Sequence, residues 1–361
     1  MNSSLPNERK LSADNRSMPP NWQFTEDTTP QEYYENWRFT VDNGQSPLRI
    51  DKYLMVRIEN ASRNKIQRAA DYDCIKVNGK PVKPSYKVKA GDLVQVFIDK
   101  QPREIQIIPQ EIPLNIVYED DYLIIVNKPA NMVVHPAYGN YEKTMLNALY
   151  YYFLHSKNNK PDTKPLLVHR IDKDTTGLLV VTKTEEAQTL LAEQFYYHTI
   201  ERTYTALVWG DLQEDNGVID KNLARDPNNR KIITTVEPPQ GKHAVTHWHV
   251  LKRFGYTTLI QCNLETGRTH QIRVHMKSIG HPLFGDKTYG GDQILKGNTS
   301  TKYKAFVENC FELLPRQALH ATTLGFIHPI TKEKLSFTSP LADDFQQVLN
   351  KWENYITDKN V

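Results

Sequence analysis

The sequence predicts an α+β fold with a mixed, mostly antiparallel sheet, preceded by a smaller basic domain. After residue 113, several strand-like runs of apolar and β-branched residues occur with few helix-like segments, which is typical of α+β domains. A stretch with three prolines, QPREIQIIPQEIP at 101–113, separates this region from a compact one before it. We therefore expect an extension (1–45), a small domain (46–100), a linker (101–113) and a large domain (114–361).

Residues 1–45 form a polar extension that we expect to be disordered in its first part, because no sustained apolar period appears there. Its aromatic residues, among them Trp37 and Phe39, leave two interpretations open. Either Gln31 to Arg38 forms a short helix that docks on the body of the protein, or the segment is a loosely attached tail.

Residues 46–100 show the pattern of two short helices followed by a small sheet. Ser62 is a good N-cap for the second helix, Arg63 to Asp71. Asn78-Gly79 predicts the tight turn of a hairpin over Ile75 to Val82, and the strand Leu93 to Ile98 follows. Residues 46–104 carry 13 Lys and Arg against 7 Asp and Glu, although the net charge of the whole chain is only +3.

The basic residues of this small domain gather on its second helix and its hairpin. We expect four of them to contact phosphate groups of a polyanion: Arg63, Lys65, Arg68 and Lys80. The alternative is an ordinary solvated charged face. The segments LRIDKYL and SRNKIQRAADYDCIKVNGKPV resemble an S4 domain, which is an RNA-binding module, and the resemblance favours phosphate contacts.

The segment PLLVHRIDKDTTGLLVVTK at 165–183 predicts a strand, a polar loop and a second strand. Asp172 lies in the loop, and Gly177 can adopt a positive φ or allow another chain to approach closely. Polar groups held between two buried strands are a common way of fixing a functional site. Without further information, an ordinary charged turn explains the segment equally well.

The segment ETGRTHQIRVHMK at 265–277 is the second dense group of polar residues. Apolar Ile272, Val274 and Met276 alternate with Arg273 and His275, which predicts a strand with one apolar and one basic face. One segment therefore offers a carboxylate on a loop, and the other offers guanidinium groups that could pair with it.

Together, these segments resemble the RluA/RluD family of pseudouridine synthases. HRIDKDTTGLLVVTK matches the family pattern HRLD-x-x-T-[ST]-G-L-L, and GRTHQIRVHM matches its second signature. The resemblance extends from about residue 112 to about residue 345. The segment NKPANMVVHP departs from the family pattern at Asn131, where the family usually has Gly. We expect the turn to survive, because Asn tolerates the left-handed conformation.

The resemblance implies that uridine in RNA is isomerised to pseudouridine without a metal or an organic cofactor. It assigns the essential carboxylate to Asp172, whether this group attacks C1′, adds to the base or removes a sugar proton. Arg273 is the candidate cation beside it, with Arg268 as the alternative. Tyr204, in the segment ERTYTALV, would lie over the target base, and Arg170 would fill the gap left by an extruded base.

Substrate and setting follow from the combination of domains. An S4 domain before this catalytic domain most resembles the family members that act on large-subunit rRNA. Alternatives are a tRNA substrate, a non-catalytic RNA-binding or assembly factor, and a hydrolase that releases uracil. The sequence has no run of about 18 apolar residues, no secretory signal and three widely spaced cysteines. It therefore predicts a cytoplasmic protein without a membrane span, and we expect a monomer.

The polar segment Asn222 to Lys231 has two interpretations, an RNA contact or a plain loop.

Overall fold

The computed structural model describes residues 34–58, 61–98, 107–136, 140–156, 159, 163–229 and 232–357. The chain divides into two compact units, Met1–Glu104 and Ile105–Val361. The predicted disorder of the first part of the extension lies outside the described residues.

The first unit contains two short helices beside a small sheet, as the sequence predicts. Its elements are β1 (Tyr34–Thr40), β2 (Leu48–Arg49), α1 (Ile50–Arg57), α2 (Arg63–Asp71), β3 (Ile75–Val77), β4 (Lys80–Pro81), β5 (Lys87–Val88) and β6 (Leu93–Ile98). The sheet order is β1-β6-β3-β4, and β2 pairs with β5. Ser62 caps α2 by accepting from the Lys65 N–H, and both Asn78 and Gly79 have positive φ in the β3–β4 turn.

Both interpretations of residues 31–38, a docked helix and a loosely attached tail, are wrong for the described part of the segment. Tyr34–Thr40 is a strand that pairs antiparallel with β6 and has an irregularity between Glu35 and Trp37. The side chains of Trp37 and Phe39 pack against the core of the unit. Aromatic residues favour strands, and the edge of β6 offers backbone groups that need partners, so pairing is preferred over a helix.

The second unit is built around one ten-stranded sheet. Its elements are β7 (Ile116–Glu119), β8 (Leu123–Lys128), α3 (Met145–His155), β9 (Leu166–Leu167), β10 (Thr176–Thr182), α4 (Glu185–Tyr196), β11 (Glu201–Trp209), β12 (Asn216–Asp220), β13 (Asn222–Arg225), β14 (Ile233–Val236), β15 (Val245–Arg253), β16 (Thr257–Leu264), α5 (Gln271–Ser278), α6 (Thr301–Leu313), β17 (Leu319–Ile327), β18 (Lys334–Thr338) and α7 (Asp343–Thr357). The order is β12-β15-β16-β11-β17-β10-β8-β7, with β18 on β17 and β9 on β10. Within this described sheet, every pairing is antiparallel except β10 with β17, which confirms the predicted α+β class.

The central strand β10 is buried along its whole length and carries the loop with Asp172 at its start. Leu179 and Val181 point into one core and Leu178 and Val180 into another. Gly177 has φ +111°, and a Cβ there would lie 2.2 Å from the carbonyl oxygen of Ala321. Only glycine lets β10 and β17 approach this closely, so Gly177 fixes the end of the strand from which the Asp172 loop emerges.

The prediction of a strand over residues 265–277 is wrong. Gln271–Ser278 is helix α5, and six consecutive side chains from Gln271 to Met276 are buried. A helix that is buried on nearly all sides has no exposed polar face. Its apolar residues therefore need not recur at the spacing of a helix, and the sequence does not reveal it. Buried Arg273 and His275 are satisfied by specific hydrogen bonds instead of by water.

The caps and turns of the second unit follow local residue preferences. Thr144 and Thr184 cap α3 and α4, and Asn131 adopts the left-handed conformation with φ +60°. The segment after Asn222 is a hairpin of β13 and β14, and its tip at 230–231 lies outside the described residues. No helix within the described ranges is long and apolar enough to cross a membrane.

Candidate active site

The loop that carries Asp172 is held in place by a buried lysine. The Lys128 Nζ donates hydrogen bonds to the carbonyl oxygens of Pro129 (2.7 Å), Met132 (2.9 Å) and Lys173 (2.8 Å). Lys128 is completely buried, and burial lowers its pKa to about 7. Because Lys173 follows Asp172 directly, this amino group ties the end of β8 to the loop.

Asp172 contacts a buried arginine that serves two carboxylates. The Arg273 Nη1 donates to Asp172 Oδ2 at 3.0 Å, while Nε and Nη2 donate to the two oxygens of Asp286 at 2.7 and 2.9 Å. The side chain of Asp286 is fully buried, that of Arg273 is 6% exposed, and that of Asp172 is 21% exposed. Burial alone would lower the pKa of Arg273, but the two carboxylates raise it above its ordinary value.

This arrangement sets the electrostatics of the site. Asp286 Oδ1 also accepts from the backbone N–H groups of Thr288 and Tyr289, so the carboxylate accepts four hydrogen bonds in all. Arg273 is therefore anchored from behind, and its remaining nitrogen presents a permanent positive charge to Asp172. Of Asp172, Arg273 and Asp286, Asp172 is the one that retains substantial contact with solvent. This is the geometry of a reactive carboxylate.

His270 and Tyr289 line the same site. The His270 Nε2 lies 3.9 Å from Asp172 Oδ2, and its Nδ1 lies 2.8 Å from the Tyr289 hydroxyl. The guanidinium of Arg273 lies 5.0 Å from the centre of the Tyr289 ring. His270 has φ +56° at the start of α5, and burial lowers its pKa.

Tyr204 lies in β11, between Cys262 on one neighbouring strand and Ala321 on the other. It is 8% exposed, and burial raises its pKa, with the negative charge of Asp172 adding to the effect. The phenol of Tyr204 is therefore protonated at neutral pH, and its place over the target base stays a prediction.

The arginines of the two motifs occupy different environments. Arg170 and Arg268 are exposed, whereas Arg273 is buried. The Arg268 Nε donates to the carbonyl oxygen of His243 at 3.1 Å. The ion pair with Asp172 is therefore made by Arg273, the first candidate, and not by Arg268.

His169, beside Arg170, is a packing residue. Its ring stacks on Phe195 with 4.6 Å between ring centres, and its Nε2 accepts from the Val180 N–H at 3.1 Å. Burial lowers the pKa of His169 to about 3, so the imidazole is neutral and holds the start of the loop against β10.

The basic residues of the first unit lie on its surface. Arg63, 53% exposed, donates to the fully buried Asp51, which also accepts two hydrogen bonds from Arg49. Although burial opposes it, these hydrogen bonds hold the pKa of Asp51 below its ordinary value. The other predicted contacts are exposed or half-exposed: Lys65, Arg68 and Lys80.

Sequence reasoning missed Lys128, His270, Asp286 and Tyr289 as parts of the site. Lys128 ends a strand and Asp286 ends the segment GHPLFGD. Neither residue was predicted to belong to the site. No local signal marked Asp286, because its role depends on the burial of Arg273, which only the structure shows. Across the described ranges, no group of three or more His, Cys, Asp or Glu side chains is arranged to hold a metal ion.

Comparison with known proteins identifies the family of the chain. The family of RNA pseudouridylate synthases matches residues 122–278, and the S4 domain matches residues 48–94. An uncharacterised RNA pseudouridine synthase of Chlorobaculum parvum is 42% identical over 88% of this chain and 98% of that protein. Ribosomal large subunit pseudouridine synthase D of Nitrosomonas europaea is 41% identical over 90% of each chain.

Among solved structures, human RNA pseudouridylate synthase domain containing 4 has a similar fold, with a TM-score of 0.53 and 24% identity over 66% of this chain and 93% of that one. With relatives above 40% identity over nearly the whole length, the chain belongs to the RluA/RluD family of RNA pseudouridine synthases and carries an N-terminal S4 domain.

Proposed function

We propose that this protein converts uridine to pseudouridine in large-subunit ribosomal RNA and that Asp172 is the essential carboxylate. The observation that carries the proposal is the partly exposed Asp172 held by the buried Arg273. The rRNA substrate is supported by relatives named ribosomal large subunit pseudouridine synthase D at 40–43% identity, among them those of Nitrosomonas europaea and Zymomonas mobilis.

The isomerisation needs no outside reactant. The bond between N1 and C1′ breaks, the uracil turns, and C5 bonds to C1′. The proton on C5 leaves and N1 gains a proton, so the reaction is balanced without redox change or net hydrolysis. A carboxylate fixed on a loop between buried strands can act on the ribose while the base turns, because its position does not depend on the substrate.

Tyr204 provides the surface on which the uracil lies. Since its phenol is protonated at neutral pH, its ring packs against the base and its hydroxyl relays the proton from C5 rather than acting as a phenolate base. Arg170 and Arg268, both exposed, bind the RNA around the extruded nucleotide, with Arg170 in the gap that the uridine leaves.

The S4 domain supplies binding energy that positions the RNA. Arg63, Lys65, Arg68 and Lys80 contact phosphates and so give affinity more than sequence specificity. Arg63 suits this role because its bond to Asp51 fixes the side chain while half of its surface stays exposed. We place the protein in the cytoplasm, where its rRNA substrate is made, and we expect it to be a monomer.

Mapping pseudouridine in cells tests both activity and substrate. Reverse transcription stopped by carbodiimide adducts would be compared for rRNA and tRNA from cells carrying wild type or Asp172→Asn. We expect stops in one large-subunit rRNA region to disappear with the variant. Loss of stops in tRNA alone would overturn the substrate, and unchanged stops everywhere would favour a non-catalytic assembly factor. Free uracil released from RNA by the purified protein would identify a hydrolase.

A further inference from the structure

A hydrogen-bond donor and an acceptor face each other in the candidate site without bonding. His270 Nε2 and Asp172 Oδ2 are 3.9 Å apart, which is beyond hydrogen-bond range, and each side chain is 21% exposed. Among the described residues, the imidazole has one hydrogen bond, between its Nδ1 and the Tyr289 hydroxyl. Within the described residues, Nε2 therefore has no hydrogen-bond partner, and Asp172 Oδ2 lies 3.9 Å from it.

The hydrogen-bond network decides which nitrogen of His270 carries the proton. The Tyr289 hydroxyl oxygen accepts from the Ile233 N–H at 3.2 Å, and burial raises its pKa to about 12, so the phenol keeps its hydrogen. That hydrogen has the His270 Nδ1 as its acceptor at 2.8 Å. Because burial also lowers the pKa of His270, the imidazole is neutral and its hydrogen is on Nε2.

The charged groups around His270 are consistent with a neutral imidazole. Asp172 and Asp286 favour its protonated form, whereas Arg273 and Arg170 oppose it, and burial is the largest influence. The backbone of His270 is left-handed, with φ +56° and ψ +20°, which costs a non-glycine residue about 1 kcal/mol. A strained residue that aims a fixed donor at a carboxylate is a reason to look for a ligand between them.

The gap fits a hydroxyl group of the substrate. An oxygen about 2.8 Å from both His270 Nε2 and Asp172 Oδ2 would see them at an angle of about 90°, which suits one accepted and one donated hydrogen bond. The carbonyl oxygens of uracil accept only, and its N3–H donates only. In a nucleotide within an RNA chain, the free hydroxyl is the ribose 2′-OH, which adjoins C1′, where the bond to the base breaks.

We propose that His270 donates a hydrogen bond from Nε2 to the ribose 2′-hydroxyl of the target uridine, and that this hydroxyl donates to Asp172. Tyr289 acts behind His270 as a positioning residue that fixes the tautomer. The contact orients C1′ against Asp172 and distinguishes RNA from DNA at the reacting nucleotide. The inference rests on the proposed role of Asp172.

A cycle of protein and substrate changes tests the contact. Single-turnover kcat/KM would be measured on two versions of the mapped target RNA, with uridine or 2′-deoxyuridine at the reacting position. The proteins would be wild type, His270→Phe, His270→Gln, Tyr289→Phe and His247→Phe, the last being a control because His247 is exposed and bonded to Glu265.

We expect His270→Phe to reduce kcat/KM on the uridine RNA by about threefold to tenfold, the effect of one hydrogen bond, and to change the 2′-deoxy RNA little. The preference for the uridine RNA over the 2′-deoxyuridine RNA, measured as the ratio of their kcat/KM values, is then largely lost. His270→Gln, whose amide can still donate, keeps part of the preference. Tyr289→Phe weakens it while leaving the imidazole in place, so this result stands even if His270→Phe folds poorly.

An equal loss on both RNAs with His270→Phe, or a wild-type enzyme without preference for the ribonucleotide, would overturn the contact. Neither outcome would contradict the proposed role of Asp172. That role is refuted by a different result, namely that Asp172→Asn still forms pseudouridine at the wild-type rate.

Discussion

Replacing Arg273 with methionine separates the stability of the site from its chemistry. Methionine keeps most of the volume of the side chain and removes its charge. Asp286, fully buried, would then keep only its two backbone N–H donors, from Thr288 and Tyr289. Leaving one partner of a buried ion pair alone costs about 3–5 kcal/mol in the free energy of unfolding.

The same substitution removes one charge-assisted hydrogen bond from Asp172, which is worth about 1.5–3 kcal/mol. If that energy is lost from the transition state, kcat/KM falls by about tenfold to 150-fold. Release of tritium from RNA labelled at C5 of uridine measures the activity, and unfolding in urea measures stability.

A second variant and a control separate the effect of Arg273→Met on stability from its effect on activity. Adding Asp286→Asn to Arg273→Met removes the unpaired buried charge, so stability should recover by several kcal/mol while activity stays low. Arg253 also contacts two carboxylates, Asp211 and Asp215, but all three are partly or largely exposed. Arg253→Met should cost less than about 1 kcal/mol and leave activity unchanged. A folded Arg273→Met variant with wild-type activity would refute the reasoning.

Three further changes test other parts of the account. Gly177→Ala should cost more than about 2 kcal/mol in urea unfolding, since φ is +111° and the Cβ would meet the backbone of β17, whereas Gly255→Ala, in open space, should cost about 1 kcal/mol; equal losses would contradict the close approach of the strands. Lys128→Met should cost about 3 kcal/mol, because three carbonyl groups lose the donor of a buried amino group, and should slow catalysis through the Asp172 loop; a stable, fully active variant would show that the loop does not need Lys128. Tyr204→Phe should bind RNA about as well as wild type and release tritium from C5 at least about tenfold more slowly; unchanged release would remove the hydroxyl from the proton path.

The sequence was sufficient where local rules decide the structure. Ser62 caps α2 as expected, and Asn78-Gly79 turns the hairpin. The strand–loop–strand character of residues 165–183 was also predictable, because β10 is buried on both faces and reads as a continuous apolar run.

The sequence failed where tertiary contacts override local pattern. Helix α5 alternates like a strand because its polar side chains are buried against specific partners rather than exposed. Tyr34–Thr40 is a strand because the edge of β6 is available, which no local pattern reveals. Lys128 was not predicted to belong to the site, because lysine is rarely buried, and only the three carbonyl groups that accept from it explain its position.

The measurement that tests the central claim most directly is single-turnover pseudouridine formation by purified Asp172→Asn. Asp174→Asn is the matched control, because it removes a neighbouring carboxylate from the same loop. The account predicts that Asp172→Asn binds the RNA but forms no measurable pseudouridine, while Asp174→Asn remains active. Pseudouridine formation by a folded Asp172→Asn protein at the rate of the control would contradict it.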